Sequence, residues 1–348
     1  MQSITVLMPV RNGAHTLERA LRSIHQQSLP CTECIVVDDG STDATAEILR
    51  TWQLRWSALK ALRTEGRGIA RALNLALSQV KTSWIARMDA DDRAHPERFE
   101  RQLKLAQTEP NAALVSCRVN YLTEESDARP STEGMRRHVE WANFARTHSE
   151  LSYALWVDSP LPHPTWFVSH HAFSQVGGYC ETRDLPEDYE WLHRFFTKSR
   201  VDSKLQAFKV AGDALVDWFD SSSRLTRTHS DSTYSEGAFN QVKVEALAQH
   251  IGLEQKVYLA GLGPKGKALL PLLQRVCNIV GLVDVSPRRQ GTRYQGLPVF
   301  DVQTWKTRAT VTTDSFTVFG VGTPSARATC EDLCAEIGLE RQKSFVCF

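Results

Sequence analysis

The sequence predicts an α/β protein of two domains, in which a mostly parallel sheet with helices on both faces is followed by a smaller α/β domain. Short apolar strands alternate with amphipathic helices along the first third of the chain, and the same alternation restarts near residue 255. The 348 residues also exceed the size of an ordinary single domain. Because the connections between successive elements are short, this alternation favours a parallel sheet over an antiparallel one.

The first strand and helix illustrate how the elements of the N-terminal region are assigned. Residues 4–8 form an apolar run that we expect to end at Pro9. Apolar residues then recur at helical spacing and place one apolar stripe on a helix of residues 15–27. Pro96 suits the first position of a later helix. The predicted strands are 4–8, 34–37, 84–88 and 114–119, and the predicted helices are 15–27, 44–49, 68–80 and 96–108.

The rest of the chain divides into an irregular region and a second alternating region. Residues 120–250 contain long polar stretches with aromatic islands, and we expect helices and long loops there. The alternation then returns, so we expect a first domain over residues 1–250 and a second over residues 255–348. The predicted strands of the second domain are 257–260, 279–283 and 316–319, and its predicted helices are 267–275 and one that begins near 325.

Composition excludes several classes of function. The 41 Lys and Arg nearly balance the 40 Asp and Glu, and a formal charge of +1 gives no global attraction for nucleic acid or an anionic membrane. No stretch reaches 18 apolar residues, and the N-terminus turns polar too early for a signal peptide. We expect a cytoplasmic protein without nucleic-acid partners or membrane spans, leaving peripheral membrane association and oligomeric state open. The eight cysteines, including Cys31-x-x-Cys34, lie mostly in apolar segments and are expected to pack.

Carboxylates follow the ends of two predicted strands. Asp38 and Asp39 follow the second strand, and Asp89-Ala90-Asp91-Asp92 follows the third. Because ligands of open α/β sheets bind beyond the carboxyl ends of the strands, both groups should face one crevice. Three carboxylates in four residues repel one another unless a cation neutralises them, and oxygen ligands suit Mg²⁺ or Mn²⁺. Asp43, in contrast, fits a helix cap or a turn residue.

Several segments, in this order, resemble family 2 glycosyltransferases of the GT-A fold over roughly residues 1–235. They are Met8-Pro9-Val10-Arg11-Asn12, Val36 to Asp43, Ala70 to Asn74, Ile85 to Asp92, His95-Pro96-Glu97-Arg98, Val176-Gly177-Gly178-Tyr179 and Pro186-Glu187-Asp188-Tyr189. The resemblance implies an inverting enzyme that moves a sugar from a nucleoside-diphosphate sugar, first of all a UDP-sugar, to a glycan or other hydroxyl acceptor. It also implies Mg²⁺ or Mn²⁺ as cofactor and a place in surface polysaccharide biosynthesis. The Gln-x-x-Arg-Trp motif of processive synthases is missing, which favours transfer of one sugar per encounter.

The same resemblance implies roles for individual residues on the donor side. Pro9 and Arg11 would line the nucleotide pocket. Asp39 would accept a hydrogen bond from the base, and Asp89 would face the ribose and the sugar.

The resemblance also implies a metal site and a catalytic base. Asp91, helped by Asp92, would ligate the metal ion. Asp188 would take the proton of the acceptor hydroxyl, and we expect neighbouring like charge to raise the pKa of Asp188. Arg227 or His229 matches a segment that closes over the diphosphate in relatives, with His229 as the candidate metal ligand. For His163, in His-Pro-Thr, a structural role and a role near the acceptor both stay open.

The second domain carries its own motif. Gly261-x-Gly263-x-x-Gly266 follows a strand and opens a helix, and Asp284 ends the next strand, which is the context of a dinucleotide-binding fingerprint. The region resembles the small Rossmann-like domain at the start of bacterial sugar O-acyltransferases. This implies a nucleotide site at Gly261, Gly263, Gly266 and Asp284, although Pro264 removes a backbone donor from the loop. Nucleotide binding and a structural or docking role both stay open.

Two alternatives to a glycosyltransferase also stay open. One is an NAD(P)-dependent enzyme that modifies sugar nucleotides through the second domain, and the other is a non-catalytic protein that binds a sugar nucleotide. The first is disfavoured because no Tyr-x-x-x-Lys pair follows the glycine motif. Measuring turnover of a sugar nucleotide distinguishes a non-catalytic binding protein from an enzyme.

Overall fold

The computed structural model describes residues 3–123, 133–181, 184–220, 233–252, 254–311 and 315–348. These residues fold into two compact units. The first contains the chain up to Ser152 together with residues 159–234, and the second contains Tyr153–Asp158 and Ser235–Phe348. Within these ranges, no helix has both the length and the apolar composition needed to cross a membrane.

The first unit contains the elements that alternate from the start of the chain. Its strands are β1 (Ile4–Val10), β2 (Glu33–Asp39), β3 (Leu59–Thr64), β4 (Trp84–Arg87), β5 (Arg93–Ala94), β6 (Ala112–Ser116), β7 (Val119–Thr123), β8 (Phe167–Ser169), β9 (Gln206–Lys209) and β10 (Val216–Asp220). Its helices are α1 (Leu17–His25), α2 (Thr45–Arg55), α3 (Ile69–Leu77), α4 (Arg98–Thr108), α5 (Glu133–Ala142), α6 (His148–Ala154), α7 (His170–Val176) and α8 (Glu187–Ser199). A short 3₁₀ turn spans His163–Thr165.

The main sheet of the first unit is mostly parallel, as predicted. Seven of the described strands form it in the order β3-β2-β1-β4-β8-β6-β9. β1 is parallel to both of its neighbours, β2 and β4, whereas β8 is antiparallel to β4 and β6. β1 is an interior strand of the sheet, and its apolar run is buried on both faces. Three further strands form a small sheet in the order β5-β10-β7.

Several boundaries differ from those that the sequence pattern predicts. β3 is missed because it is an edge strand in which only Leu59 is buried, so its apolar signal is weak. β1 continues through Pro9 to Val10. Pro9 has no N–H group to donate to a neighbouring strand. It is tolerated because β4 ends at Arg87, opposite Leu7, so β4 offers no acceptor that Pro9 would leave unpaired. Helix α4 begins at Arg98 rather than at the predicted proline, and the predicted strand 114–119 divides into β6 and β7.

The second unit is a smaller α/β layer structure. Its strands are β11 (Lys256–Ala260), β12 (Asn278–Val283), β13 (Arg293–Tyr294), β14 (Leu297–Phe300), β15 (Ser315–Phe319) and β16 (Phe345–Cys347). Its helices are α9 (Glu236–His250), α10 (Pro264–Val276), α11 (Val302–Val311) and α12 (Pro324–Glu336). The sheet order is β13-β14-β12-β11-β15-β16, parallel apart from β13. This is a doubly wound order with its switch point between β11 and β15.

Helix α9 belongs to the second unit, although the sequence pattern places it before the boundary at residue 255. Val244 and Leu247 of α9 are buried in one apolar cluster with Leu269 and Leu273 of α10. The helix therefore completes the core of the second unit. A boundary drawn at the first strand of that domain leaves this helix out.

Two glycine-containing loops approach each other closely in the second unit. A Cβ atom on Gly266 would overlap the carbonyl oxygen of Gly261, and a Cβ atom on Gly320 would lie 2.8 Å from the Cα atom of Gly266. In contrast, a Cβ atom on Gly263 would meet no atom within 4 Å. Gly266 therefore lets α10 pack against the ends of β11 and β15.

We predict that Gly266→Ala lowers the free energy of unfolding of the second unit by about 1–3 kcal/mol, the usual cost of forcing extra atoms into a packed interior. Gly263→Ala is the matched control, because it adds the same methyl group to open space in the same loop. Urea unfolding followed by circular dichroism measures the difference. Equal unfolding midpoints for the two variants would contradict the packing role of Gly266.

Candidate active site

The loops that leave β1 and β2 at the carboxyl edge of the main sheet are tied together by hydrogen bonds. The N–H of Asn12 donates to Ser41 Oγ at 2.8 Å, and Asn12 Oδ1 accepts the N–H of Thr42 at 2.9 Å. Asn12 has a φ of 52°, a left-handed conformation that Asn adopts more readily than most residues. These bonds fix the loop that carries Arg11 beside the loop that follows Asp39.

Asp39 organises a third loop at this edge, between β3 and α3. It is 5% exposed, and its carboxylate accepts the N–H groups of Arg67 at 2.9 Å and Gly68 at 2.8 Å together with the hydroxyl of Thr64. Among the described residues only Gly68 donates to Oδ2, and a carboxylate oxygen accepts about two hydrogen bonds, so Oδ2 can accept another. The contact between Asp39 and a base stays a prediction.

Arg11 lies over the loop that Asp39 holds. A Cβ atom on Gly66 would be 3.5 Å from the Arg11 guanidinium, and one on Gly40 would be 2.8 Å from the backbone nitrogen of Gly66. Both glycines have a φ of 74°, so the close approach of the two loops depends on them. Pro9 pairs with Val37 on the adjacent strand. Three of the predicted donor-side residues are therefore neighbours at one edge of the sheet.

The carboxylates of Asp89, Asp91 and Asp92 converge after β4. One oxygen from each lies within 4.8 Å of the others, and this is the one group with metal-binding geometry in the part of the chain that the structure describes. The Cβ atom of Ala90 is 3.9 Å from the position of a Cβ atom on Gly13, so the cluster borders the loop after β1. The oxygen donors and their spacing fit a hard divalent cation.

The three carboxylates differ in their surroundings. Asp92 is fully buried and accepts the N–H of Phe219 in β10 at 2.9 Å, which joins the loop to the small sheet. Arg19 of α1 donates to the backbone carbonyl of Asp91 at 2.5 Å and lies 3.8 Å over the Phe219 ring. Asp92 therefore has a structural role as well, whereas the half-buried side chain of Asp91 gives a cleaner test of cation binding.

Arg87, the last residue of β4, is a candidate that the sequence pattern misses. Its side chain is buried, 3% exposed, and forms an ion pair with Asp89. Burial is the largest single effect and lowers the pKa of Arg87, but the charge of Asp89, the hydrogen bond to Asp89 and smaller contributions together raise it above its ordinary value. Arg98 is fully buried and donates to the Arg87 carbonyl at 2.7 Å. A charged residue inside an otherwise apolar strand is the signal that identifies Arg87.

Asp188 lies in the first turn of α8, next to the buried Glu187. Burial is the largest cause that raises the pKa of Asp188, and the charge of Asp89 adds to it. The Tyr189 N–H, 2.7 Å from Oδ1, and the charge of Arg87 oppose the rise. The direction of the shift agrees with the sequence-based expectation, but its main cause is burial rather than like charge. Asp188 is therefore within the electrostatic influence of Asp89 and Arg87.

A buried hydrogen-bonded group lies behind Asp188. Burial, followed by the charge of Asp188, raises the pKa of Glu187 to about 7, and Tyr234 Oη donates to Glu187 at 2.7 Å. His163 Nε2 is 2.9 Å from Tyr179 Oη, and Nδ1 is 3.8 Å from Glu187. Burial and the charge of Arg87 hold the pKa of His163 well below its ordinary value, so the imidazole is neutral. Both ring nitrogens of His163 therefore face protein groups.

Some predicted residues lie outside the described residues or have a structural explanation. Arg227 and His229 fall in the range 221–232, outside the described residues, and their roles stay predictions. Asp43 Oδ1 accepts the N–H of Thr45 at 3.0 Å, but the N-cap of α2 is Ala44, so Asp43 is a turn residue rather than the helix cap. Cys31 is buried, and burial raises its pKa to about 12, which fits a packing role.

In the second unit, Asp284 fixes the glycine loop through its own hydrogen bonds. Its carboxylate accepts the N–H groups of Leu262 at 2.9 Å and Ser286 at 2.8 Å and forms an ion pair with Arg289 at 2.9 Å. Although burial opposes it, these donors lower the pKa of Asp284. A nucleotide contact remains a prediction for Gly261, Gly263, Gly266 and Asp284.

Comparison with known proteins identifies the relatives of the first unit. Residues 5–175 match the family model described as glycosyl transferase family 2. The chain is 32% identical over 133 residues to amylovoran biosynthesis glycosyltransferase AmsE of Erwinia amylovora, covering 37% of this chain and 49% of the relative. It is 34% identical over 102 residues to putative glycosyltransferase EpsE of Bacillus subtilis, covering 29% of this chain and 37% of the relative. The chain thus spans half or less of the length of these two curated relatives.

Solved structures show the same fold. TarS 1–349 of S. aureus in complex with UDP-GlcNAc has a TM-score of 0.50 at 18% identity and covers 72% of this chain and 73% of that chain. A structure of S. aureus TarS has a TM-score of 0.50 at 17% identity and covers 72% of this chain and 44% of that chain. Together with the family match, this similarity confirms the predicted GT-A fold class.

We predict that Asp91→Asn weakens Mn²⁺ binding by at least about tenfold, because one of three convergent carboxylates loses its charge. Asp43→Asn is the matched control, since it removes the same charge from a neighbouring loop outside the cluster. Calorimetric titration of each folded variant with Mn²⁺ provides the measurement. An unchanged affinity in Asp91→Asn would show that the cluster does not hold the cation.

Proposed function

Because the N-terminal domain of the chain belongs to glycosyl transferase family 2, we propose that the chain is an inverting, non-processive glycosyltransferase that acts in surface polysaccharide biosynthesis. It transfers a sugar from a nucleoside-diphosphate sugar to a hydroxyl group of a glycan. UDP-GlcNAc is the first donor to test, because the related TarS structure contains it. The observation that carries the proposal is the convergence of Asp89, Asp91 and Asp92 at the edge where Asp39 and Arg11 lie.

The donor half of the site supports a nucleotide diphosphate. Asp39 Oδ2 can accept an N–H from the base, which is the N3–H in uracil. The exposed Arg11 guanidinium lies above the loop between β3 and α3 and can pair with a phosphate oxygen. Pro9, next to the last residue of β1, pairs with Val37 and gives the strand a fixed φ at this edge. In this proposal Asp89 contacts the ribose and the sugar while its pairing with Arg87 fixes its orientation.

Asp91 and Asp92, with Asp89 beside them, are the residues proposed to hold a divalent cation. A bound Mg²⁺ or Mn²⁺ would neutralise charge on the diphosphate leaving group as a Lewis acid. A role for His229 as a further ligand belongs to the same proposal. We also propose, from composition alone, that the reaction takes place in the cytoplasm.

Asp188 is the proposed catalytic base. A new bond forms between the acceptor oxygen and the anomeric carbon while the bond from that carbon to the diphosphate oxygen breaks. The proton of the acceptor hydroxyl passes to the Asp188 carboxylate, and the nucleoside diphosphate leaves with the bonding electrons. Displacement from the opposite side inverts the anomeric centre. A carboxylate with a raised pKa is the stronger base for this step.

Turnover is the experiment that tests the function. The chain is incubated with Mn²⁺ and a panel of UDP-, GDP- and dTDP-sugars, and release of nucleoside diphosphate is measured with and without glycan acceptors. Transfer or slow hydrolysis of one donor that requires Asp91 supports the proposal. Donor binding without any turnover would favour a binding protein, and oxidation of a nicotinamide cofactor would favour the NAD(P)-dependent alternative.

We predict that Asp188→Asn lowers kcat by roughly 10²- to 10⁴-fold, the usual contribution of a general base, while donor affinity changes little. Asp202→Asn is the control, because it removes the same charge beyond the other end of α8. Steady-state kinetics and donor titration of both variants make the comparison. Loss of donor affinity equal to the loss of kcat would assign Asp188 to binding instead.

We predict that kcat falls on acidification at a pH above the ordinary pKa of an aspartate. The pKa of Asp188 is raised, so its ionised form is present above the raised value and is lost as the pH falls through it. A profile of kcat against pH measures where activity is lost on acidification, and circular dichroism at each pH checks that the protein is folded. If kcat of the folded enzyme falls only at a pH at or below the ordinary pKa of an aspartate, the assignment is contradicted.

A further inference from the structure

The switch point of the second unit presents open space beside two helix N-termini. The loop after β11 leads into α10, and the loop after β15 leads into α12. A Cβ atom on Gly263 or on Gly322 would meet no atom within 4 Å, so both loops expose their backbone. Among the described residues, the N–H groups of Gly263 and Gly266 donate to no acceptor. Helix N-termini carry partial positive charge, so this edge already attracts anions.

Two cationic side chains flank this edge without partners. Lys265 is the second residue of α10, and Arg327 lies in the first turn of α12. Both are half-buried, and within the described ranges neither side chain forms a hydrogen bond or an ion pair. Within the described ranges, the cost of partly burying these charges is therefore not offset by a direct carboxylate partner.

A third cation, Lys243 of α9, lies at the same edge of the sheet. It is 4% exposed, and its Nζ donates to the carbonyl of Val157 at 2.7 Å. Its Nζ is also 5.7 Å from the ring centre of Phe348, whose N–H donates to the carbonyl of Phe319 at the end of β15. Lys243 is therefore placed at the carboxyl end of β15, where the loop to α12 begins.

These charges oppose one another in the free protein. Burial and then the charge of Lys265 lower the pKa of Lys243 to about 7, and burial with the charge of Arg327 lowers the pKa of Lys265. The carboxylates of Glu236 and Asp158 act in the opposite direction. Lys243, Lys265 and Arg327 therefore repel one another, and two helix N-termini add positive potential at the same edge. A bound anion relieves this repulsion.

We propose that the second unit binds a phosphate-bearing small molecule through Lys243, Lys265 and Arg327, without a metal ion. The backbone N–H groups of the first glycine loop complete the site. The site differs from a dinucleotide fingerprint based on Asp284, because Asp284 already holds the loop through Leu262 and Ser286. The phosphate group rather than the ribose is the part of the ligand that these residues recognise.

The test uses the full chain and inorganic pyrophosphate in the presence of EDTA, which removes any cation from the first unit. Isothermal calorimetry is expected to detect binding to the wild type. Lys265→Gln and Arg327→Gln are each expected to weaken it by at least about tenfold, because each removes a charged donor. Lys267→Gln is the matched control: it removes the same charge two residues further along α10, where the side chain lies 5.9 Å from the Tyr294 ring centre.

Three results overturn the proposal: no binding of pyrophosphate in EDTA, an equal loss of affinity in Lys267→Gln, or sulfate binding as tight as pyrophosphate binding. Circular dichroism confirms that each variant is folded. Asp91→Asn should keep the EDTA-resistant binding, because that residue belongs to the first unit. A catalytic failure of the first unit therefore leaves this result unchanged, and the two proposals can fail separately.

Discussion

The structure of the first unit depends on how it offsets repulsion among carboxylates gathered at one edge of the main sheet. Arg87 is central to this, because a buried guanidinium at the end of β4 forms an ion pair with Asp89 and lies in the electrostatic environment of Glu187 and Asp188. A buried charge that loses its partner is strongly destabilising. Arg98 holds Arg87 by its backbone carbonyl, so the position of the cation is fixed before any ligand binds.

The carboxylates at this edge differ in the groups that surround them. Asp39 accepts three hydrogen bonds from one loop, so much of its charge is used to fold that loop. Asp89, Asp91 and Asp92 converge on one another instead, and Arg87 forms an ion pair with Asp89. Like charges that converge at one sheet edge suit a cation site, whereas a carboxylate that accepts the N–H groups of a loop organises that loop. The difference is a matter of packing and is not visible in the spacing of the aspartates.

The sequence predicted those features that depend on local pattern. Alternating apolar segments were sufficient for the parallel sheet, and the acidic motifs were sufficient to place Asp39 and Asp91 at its carboxyl edge. Features that depend on contacts distant in sequence were missed. In the sequence, the role of Arg87 is not distinguished from that of other strand residues, because its ion pair with Asp89 forms only in the folded chain. The pKa of Asp188 is raised mainly by burial, which only the tertiary fold creates. Edge strand β3 was missed because its alternation is half exposed.

The two units place opposite charges at equivalent edges of parallel sheets, and the two arrangements differ in cost. Helix N-termini give such an edge partial positive charge, which favours carboxylates and disfavours cations. An acidic cluster there is therefore partly stabilised by the fold itself, as in the Asp91 loop. The cations Lys265 and Arg327 receive no such support and repel the helix ends as well as each other. Cations at helix N-termini are unfavourable without a ligand, whereas carboxylates there are not. The cations Lys265 and Arg327 are thus stronger evidence for a bound anion than the acidic cluster is for a bound cation.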